Sequence, residues 1–369
     1  MELATPGCQP MHDTTPKKDI PRLATLDTLR GIAVLLVLGA HQPTLVGNTG
    51  AVLFCRAWQH IGWVGVDLFF VLSGFLVSGL LFRSWREHGR LNAGRFLMRR
   101  AWKIYPAFYA MLLIVIVNGH LHGRWPGWPP IVSEMLFIQN YTLPLFFHTW
   151  SLAVEEHFYI LLPLLLFCLR GKKEAPFARL PLVCGIIALL CLALRLRLAF
   201  DGVTPLSQIY RPTHLRVDSL LAGVMIAWFQ QFHGPALAAF ALRWRKPLLF
   251  SALILALPPA IWTIGTAWGI HTFALTGLWL SAGMLLIVML HSEAKRGVLA
   301  WIGTYSYSIY LWHFTASMMF VPAILSGSQL GGWLEFTTYL ALSVGCGLLS
   351  AWFIEMPCIR LRDRLFPRQ

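Results

Sequence analysis

Residues 26–43 read LDTLRGIAVLLVLGAHQP, an apolar run of helix length with one cation near its start, Arg30, and one imidazole near its end, His41. At 3.6 residues per turn their separation is almost three whole turns, so both side chains fall on one face, about 16 Å apart along the axis. An ionisable group in hydrocarbon is expensive, so both must face protein or a water-filled passage, and such groups mark functional sites. Arg30 also suits an interfacial anchor, since Arg commonly flanks membrane spans. His41, close to Pro43, also suits a hydrogen-bonded buried histidine.

The rest of the chain agrees with a membrane reading. Of 369 residues, 57% are hydrophobic and 12% charged, with a mean hydropathy of +0.62, which excludes a soluble globule. The formal net charge of +14 would suggest nucleic acid in a soluble protein. Here the cations sit in short segments between apolar runs, as in cytoplasmic loops, so no nucleic-acid partner is implied. The seven cysteines lack metal-ligand spacing and lie in or beside apolar runs, predicting neither a metal nor a disulfide framework. Residues 1–25 are polar and lack the apolar core of a signal peptide, so the first span is retained.

Ten runs are long enough to cross a bilayer: 28–46, 62–82, 102–118, 150–169, 180–198, 215–229, 247–264, 272–290, 299–321 and 333–354. The fold class expected is an all-α integral membrane protein with about ten transmembrane helices and both termini cytoplasmic. That orientation gathers most of the 30 Lys and Arg residues on the inner side. It divides the chain into a polar cytoplasmic segment 1–27, a membrane domain 28–356 and a basic cytoplasmic tail 357–369, with residues 119–149 as an outer loop.

Within the runs, Asp67, Gly74 and Ser78 share a face, as do Ser151, Glu155 and Tyr159. Glu155 is favoured over Glu156 for a shared interior, leaving Glu156 or His157 at the interface. His214 and Asp218 form an i, i+4 pair while Arg216 points elsewhere, and Gly303, Ser306, Tyr310 and His313 align. By depth, His41, Asp67, Glu155, Arg216 and His313 occupy the outer half of the membrane. Arg30, Arg99, Arg100, Lys103 and Glu355 occupy the inner half. A polar passage with an anion site at the cytoplasmic mouth follows. Arg100 and Lys103 are three residues apart and can address one phosphate-bearing ligand, or else anionic lipid.

The stretches LDTLRGIAVLLVLGAH, GVDLFFVLSGFL, FLMRRAWKIYP, TWSLAVEEHFYILLP, RVDSLLAG, IGTYSYSIYLWH and FIEMPCIR, in that order, resemble the acyltransferase type-3 family of multi-pass membrane O-acyltransferases. The resemblance covers about residues 26–360. It implies acyl transfer, acetyl above all, from cytosolic acyl-coenzyme A to a hydroxyl of a cell-surface saccharide, a lipid-linked glycan or a small glycosylated acceptor, in a bacterial inner membrane. It also implies that His41 is catalytic, with Arg30 in the same motif. The family's R-x-x-R motif here reads Arg100-Ala101-Trp102-Lys103, which keeps the charge but loses one planar fork. A chain ending at Gln369 resembles the stand-alone form without a fused extracytoplasmic domain.

Acyl transfer to an alcohol needs a base, because a free hydroxyl is a poor nucleophile at neutral pH. His41 is the candidate, with Glu155 or Asp67 as the carboxylate that would orient it. Tyr310 or Arg216 would stabilise the oxyanion, Ser151 and His313 would support the site, and Arg30, Arg100 and Lys103 would hold the donor. Partners implied are lipid, acyl-coenzyme A and a carbohydrate acceptor. A proton-coupled transporter would also bury such residues, though no inverted repeat is visible. A structural scaffold explains the ionisable stripe least well.

Overall fold

A computed structural model describes residues 20–45, 49–171, 175–203, 206–262, 269–292, 296–325 and 332–367. Residues 1–19 of the polar N-terminal segment and 368–369 of the basic tail lie outside the described residues, as does part of the run 247–264. All regular structure among the described residues is helical.

The apolar run of the opening stretch forms α1, Ile20–Ala40. It stops there because a proline disfavours helical backbone at the residue before it, and Pro43 follows Gln42. His41 therefore sits in the turn just beyond the helix. The chain then forms α2 (Gly50–Ile61), a 3₁₀ turn (Gly62–Val64), α3 (Gly65–His88), α4 (Ala93–Leu121), α5 (Trp128–Met135), α6 (Trp150–Leu169) and α7 (Leu180–Phe200). After α8 (Leu206–Ile209) and a second 3₁₀ turn (Thr213–Leu215) come α9 (Val217–Phe232), α10 (Gly234–Arg243), α11 (Arg245–Leu255) and α12 (Pro258–Ile261). A π-turn (Ile270–Ala274) leads into α13 (Leu275–Leu290), followed by α14 (Val298–Thr304) and α15 (Ser306–Thr315). A π-turn (Ala316–Phe320) precedes α16 (Val321–Leu325) and α17 (Gly332–Ser350). A third (Ala351–Glu355) precedes α18 (Met356–Leu365).

Six of the described helical stretches are long and apolar enough to cross a membrane: Gly50–His88, Ala93–Leu121, Trp150–Leu169, Leu180–Phe200, His271–Leu290 and Gly332–Leu365. Each of the ten expected runs contains helix, but several are short or broken. Run 215–229 becomes the 16-residue α9. Run 247–264 breaks ahead of Pro258, whose ring cannot continue a helix, and run 299–321 breaks at Tyr305. Large apolar side chains such as Leu182, Leu189, Leu190 and Phe200 are exposed on α7. An apolar face of that kind suits lipid rather than water.

Glycines bring the central helices into backbone contact. A Cβ on Gly303 would lie 1.7 Å from the Asp27 carbonyl oxygen, and one on Gly31 2.0 Å from that of Leu299, which seals α1 against α14. On α3 and α9, a Cβ on Gly74 would lie 1.9 Å from the Leu220 oxygen and one on Gly223 2.1 Å from that of Val71. Small residues at helix interfaces allow this approach in membranes, where packing rather than water expulsion drives association. These seams carry Arg30, His41 and Asp67 to the centre of the bundle.

Candidate active site

His41 is half-buried, and its Nδ1 lies 3.0 Å from the Val37 carbonyl oxygen and 3.3 Å from His313 Nε2. A carbonyl only accepts, so Nδ1 carries the proton. His313 Nδ1 is 2.5 Å from the Tyr310 carbonyl oxygen and is likewise protonated, leaving its Nε2 as a second acceptor for the His41 N–H. The lone pair of His41 is thereby placed on Nε2. A third imidazole, His148, donates from Nε2 to the Leu311 oxygen at 3.1 Å, with its ring 5.0 Å from that of His313. His41 and His148 line a cavity of about 460 Å³ with Arg56, Trp63, Trp150, Tyr210 and Tyr310.

A second, narrower chamber of about 80 Å³ lies behind Tyr310 and Val66, which belong to both walls. Arg30, Arg100, Lys103, Glu155, Ser151 and Tyr159 line it. Three cations against one carboxylate suit an anion. Glu155 accepts from the Tyr159 hydroxyl, which is 2.7 Å from Ser73 Oγ, and the Arg100 guanidinium stacks 4.8 Å from the Tyr159 ring. At the junction, Tyr310 Oη is 2.6 Å from Ser151 Oγ and donates to the His148 oxygen at 2.7 Å.

The structure thus brings His41 and His313 to one place and Arg30, Arg100, Lys103 and Glu155 to its neighbour, with Tyr310 and Ser151 at the junction. Among the described residues it does not bring a carboxylate to His41. Asp67 is bound by Arg216 at 2.8 Å, with both side chains almost wholly buried, so neither is available as imidazole partner or oxyanion donor. The Arg216 guanidinium instead packs under Tyr210 and Trp150, 4.7 Å and 5.8 Å from their ring centres. The expected His214–Asp218 pair does not form. A 3₁₀ turn at Thr213–Leu215 replaces the helix there, Asp218 takes Arg195 at 2.7 Å, and His214 meets Tyr141. Glu156 is not interfacial but buried, accepting from the Tyr105 hydroxyl at 3.1 Å.

Sequence reasoning passed over His148 and Glu134, both in the expected outer loop. Glu134 Oε1 accepts from the Leu145 and Phe146 amides and from Thr149 Oγ1, at 3.0, 3.2 and 2.9 Å, and so fixes the segment that carries His148. Burial pushes the Glu134 carboxyl up to about 7, against those three bonds. Burial, with His41 nearby, pushes His148 down to about 3, so it is neutral at pH 7. Among the described residues no group of three or more His, Cys, Asp or Glu side chains could hold a metal ion.

The family described as an acyltransferase domain matches residues 23–352. The peptidoglycan O-acetyltransferase OatA of Listeria monocytogenes is 27% identical over 360 residues, covering 90% of this chain and 55% of the relative. The putative peptidoglycan O-acetyltransferase YrhL of Bacillus subtilis is 27% identical over 393 residues, covering 97% and 58%. A putative O-acetyltransferase of Staphylococcus aureus is 26% identical over 372 residues, covering 93% and 58%. The chain spans a little over half the length of these curated relatives, and no solved structure matches it. Nothing in these comparisons supports the transporter reading. A match that runs from α1 to the end of α17 assigns nearly the whole helical bundle to one family, and the chain belongs to the acyltransferase type-3 family.

Proposed function

We propose that the chain is a membrane O-acyltransferase that moves an acyl group, acetyl as in its relatives' names, from cytosolic acyl-coenzyme A to a hydroxyl of a saccharide acceptor. The observation that carries this reading is a wall shared by two chambers. A cationic chamber and a histidine-lined one meet at Tyr310. In the inner chamber Arg30, Arg100 and Lys103 pair with the donor's phosphates, and the thioester reaches Ser151 and Tyr310. In the outer chamber the acceptor hydroxyl gives its proton to His41 Nε2 as its oxygen attacks the thioester carbonyl carbon. The carbon–sulfur bond breaks, and the coenzyme leaves as a thiolate that takes the proton from the His41 imidazolium, which restores the base. Val37 and His313 hold the other N–H of the imidazole, the orienting role often given to a carboxylate. Ser151 and Tyr310 are the hydroxyls nearest the junction, and to donate to the oxyanion each turns its hydrogen away from the His148 carbonyl oxygen that holds it here. Glu155 balances the inner cations, and Asp67 holds Arg216 behind the aromatic wall. Ten crossings, both ends on the cytosolic face and the bacterial inner membrane complete the proposal.

The test is acyl transfer by the full chain in membranes at matched protein level, read beside donor affinity. General-base catalysis contributes about 10²–10⁴-fold, so His41→Gln is expected to lose that much transfer while still binding acyl-coenzyme A. His313→Ala, which removes one acceptor of the His41 N–H, is expected to be slowed less. Near-normal transfer by His41→Gln would remove the histidine from the chemistry.

A further inference from the structure

We infer that the outer cavity is built for an acidic saccharide, with a sugar ring seated against Trp63, Trp150 and Tyr210 and a negatively charged substituent held by Arg56. The inference rests on the acyltransferase reading for its reaction, but its argument comes from the cavity wall. Trp150 and Tyr210 lie 4.8 Å apart between ring centres, and Trp63 meets Tyr210 edge-on at 5.9 Å, so the three form one continuous aromatic side. The Arg216–Asp67 pair behind it leaves that side little freedom. An aromatic wall takes the C–H face of a sugar ring, while the polar tips of Tyr and Trp serve its hydroxyls.

Those polar tips are unused. Trp63 Nε1, Tyr210 Oη and His148 Nδ1 have no hydrogen-bond partner among the described residues, although their side chains are only 8%, 6% and 1% exposed. Leaving buried polar atoms unpaired is costly, and each orphan in a native structure calls for a ligand or water. The set comprises a donor, a group that donates and accepts, and an acceptor. All three atoms are closed off from the cavity in this structure, so a sugar's hydroxyls would reach them through a small shift of the side chains that line it, whereas a lipid chain would leave them unpaired. Arg56 is anchored by its Nε bond to the Leu45 oxygen at 3.2 Å, and among the described residues no carboxylate lines the cavity with it. The chamber therefore favours an anionic ligand over a cationic one. Its volume, about 460 Å³, falls in the range of small-ligand sites.

The experiment uses the full chain in lipid nanodiscs and two probes, the acidic disaccharide of N-acetylglucosamine and N-acetylmuramic acid and the neutral disaccharide chitobiose, with affinity read by calorimetry. The wild type is expected to prefer the acidic probe by about tenfold or more, the range of one charge-assisted bond. Arg56→Gln, at an exposed helix position, should bring the acidic probe down to the affinity of the neutral one. Tyr210→Phe, which removes only a hydroxyl, should weaken both probes by about two- to tenfold. Equal binding of the two probes by the wild type, or a preference that survives in Arg56→Gln, overturns the inference. Coenzyme release from acetyl-coenzyme A is measured on the same samples. A wild type that turns over the thioester yet binds both sugars alike overturns this inference alone. One that binds the acidic sugar and never consumes the thioester overturns the acyltransferase reading alone.

Discussion

A carboxyl group shut away from water keeps its proton to higher pH, and Glu134 does so while holding the segment that bears His148. Its folded value of about 7 lies above the ordinary 4.5, so the fold binds this proton more tightly than the unfolded chain does. The stability it contributes is whole below pH 4.5 and is lost as pH rises through about 7, a span of about 3 kcal/mol. Glu134→Gln keeps an oxygen to accept the three bonds but cannot ionise. Thermal unfolding of the purified protein should therefore show the variant matching the wild type at pH 5 and exceeding it at pH 8. No gain at pH 8 would mean that the ionised carboxylate is well accommodated. Neither Glu134 nor His148 was legible in the sequence, because their partners lie elsewhere in the loop or, for His148, at Leu311. Helical periodicity says nothing about such pairings. Arg30 and His41 were legible because one helix carries the first and ends a single residue before the second. The orienting group of His41 was not, since a backbone carbonyl has no signature in a sequence.

Helices meet in this bundle where side chains are missing. Gly303→Ala places a methyl group 1.7 Å from the Asp27 oxygen, a clash with backbone that cannot swing aside. Overpacking of this kind typically destabilises by about 1–3 kcal/mol, visible as a lower unfolding temperature in detergent. Gly79→Ala on α3 is the matched control, because nothing lies within 4 Å of the added carbon. It should be neutral or slightly stabilising, since alanine is the better helix former. Equal loss in both variants would dismiss the seam. The sequence showed small residues sharing helix faces with Asp67 and Tyr310, so that such faces pack was readable. Which helix each face meets was not, because α1 joins α14 and α3 joins α9 across more than a hundred residues. The breaks at Pro258 and Tyr305 show the limit of counting apolar runs. A hydropathy window registers composition and misses where the backbone stops being continuous.

At the scale of the whole molecule, the charge asymmetry of the loops makes a test of sidedness direct. Reporter fusions at Arg90 and at Trp125, on opposite ends of α4, should report opposite faces of the membrane. Identical sidedness would sink the ten-crossing arrangement. Within the bundle, mechanical compliance is unevenly spread. The paired seams of α1 with α14 and of α3 with α9 act as welds, since backbones already in contact cannot slide or roll. The segment α15, which carries Tyr310 and His313, is sealed in the same way to α17, where a Cβ on Gly347 would lie 2.6 Å from Ile309 Cα, but this pair is bounded by the break at Tyr305 and the π-turn Ala316–Phe320, two flexures in series. Motion that opens one chamber to the other would therefore be taken up by the Tyr310 side of the wall, while α1 holds still as the fixed jaw. Amide exchange should show it: the amides of Ser306–Thr315 exchanging faster than those of α1 between Leu29 and Leu38, and slowing when donor is bound. A uniform pattern across both would mean the bundle moves as one rigid piece.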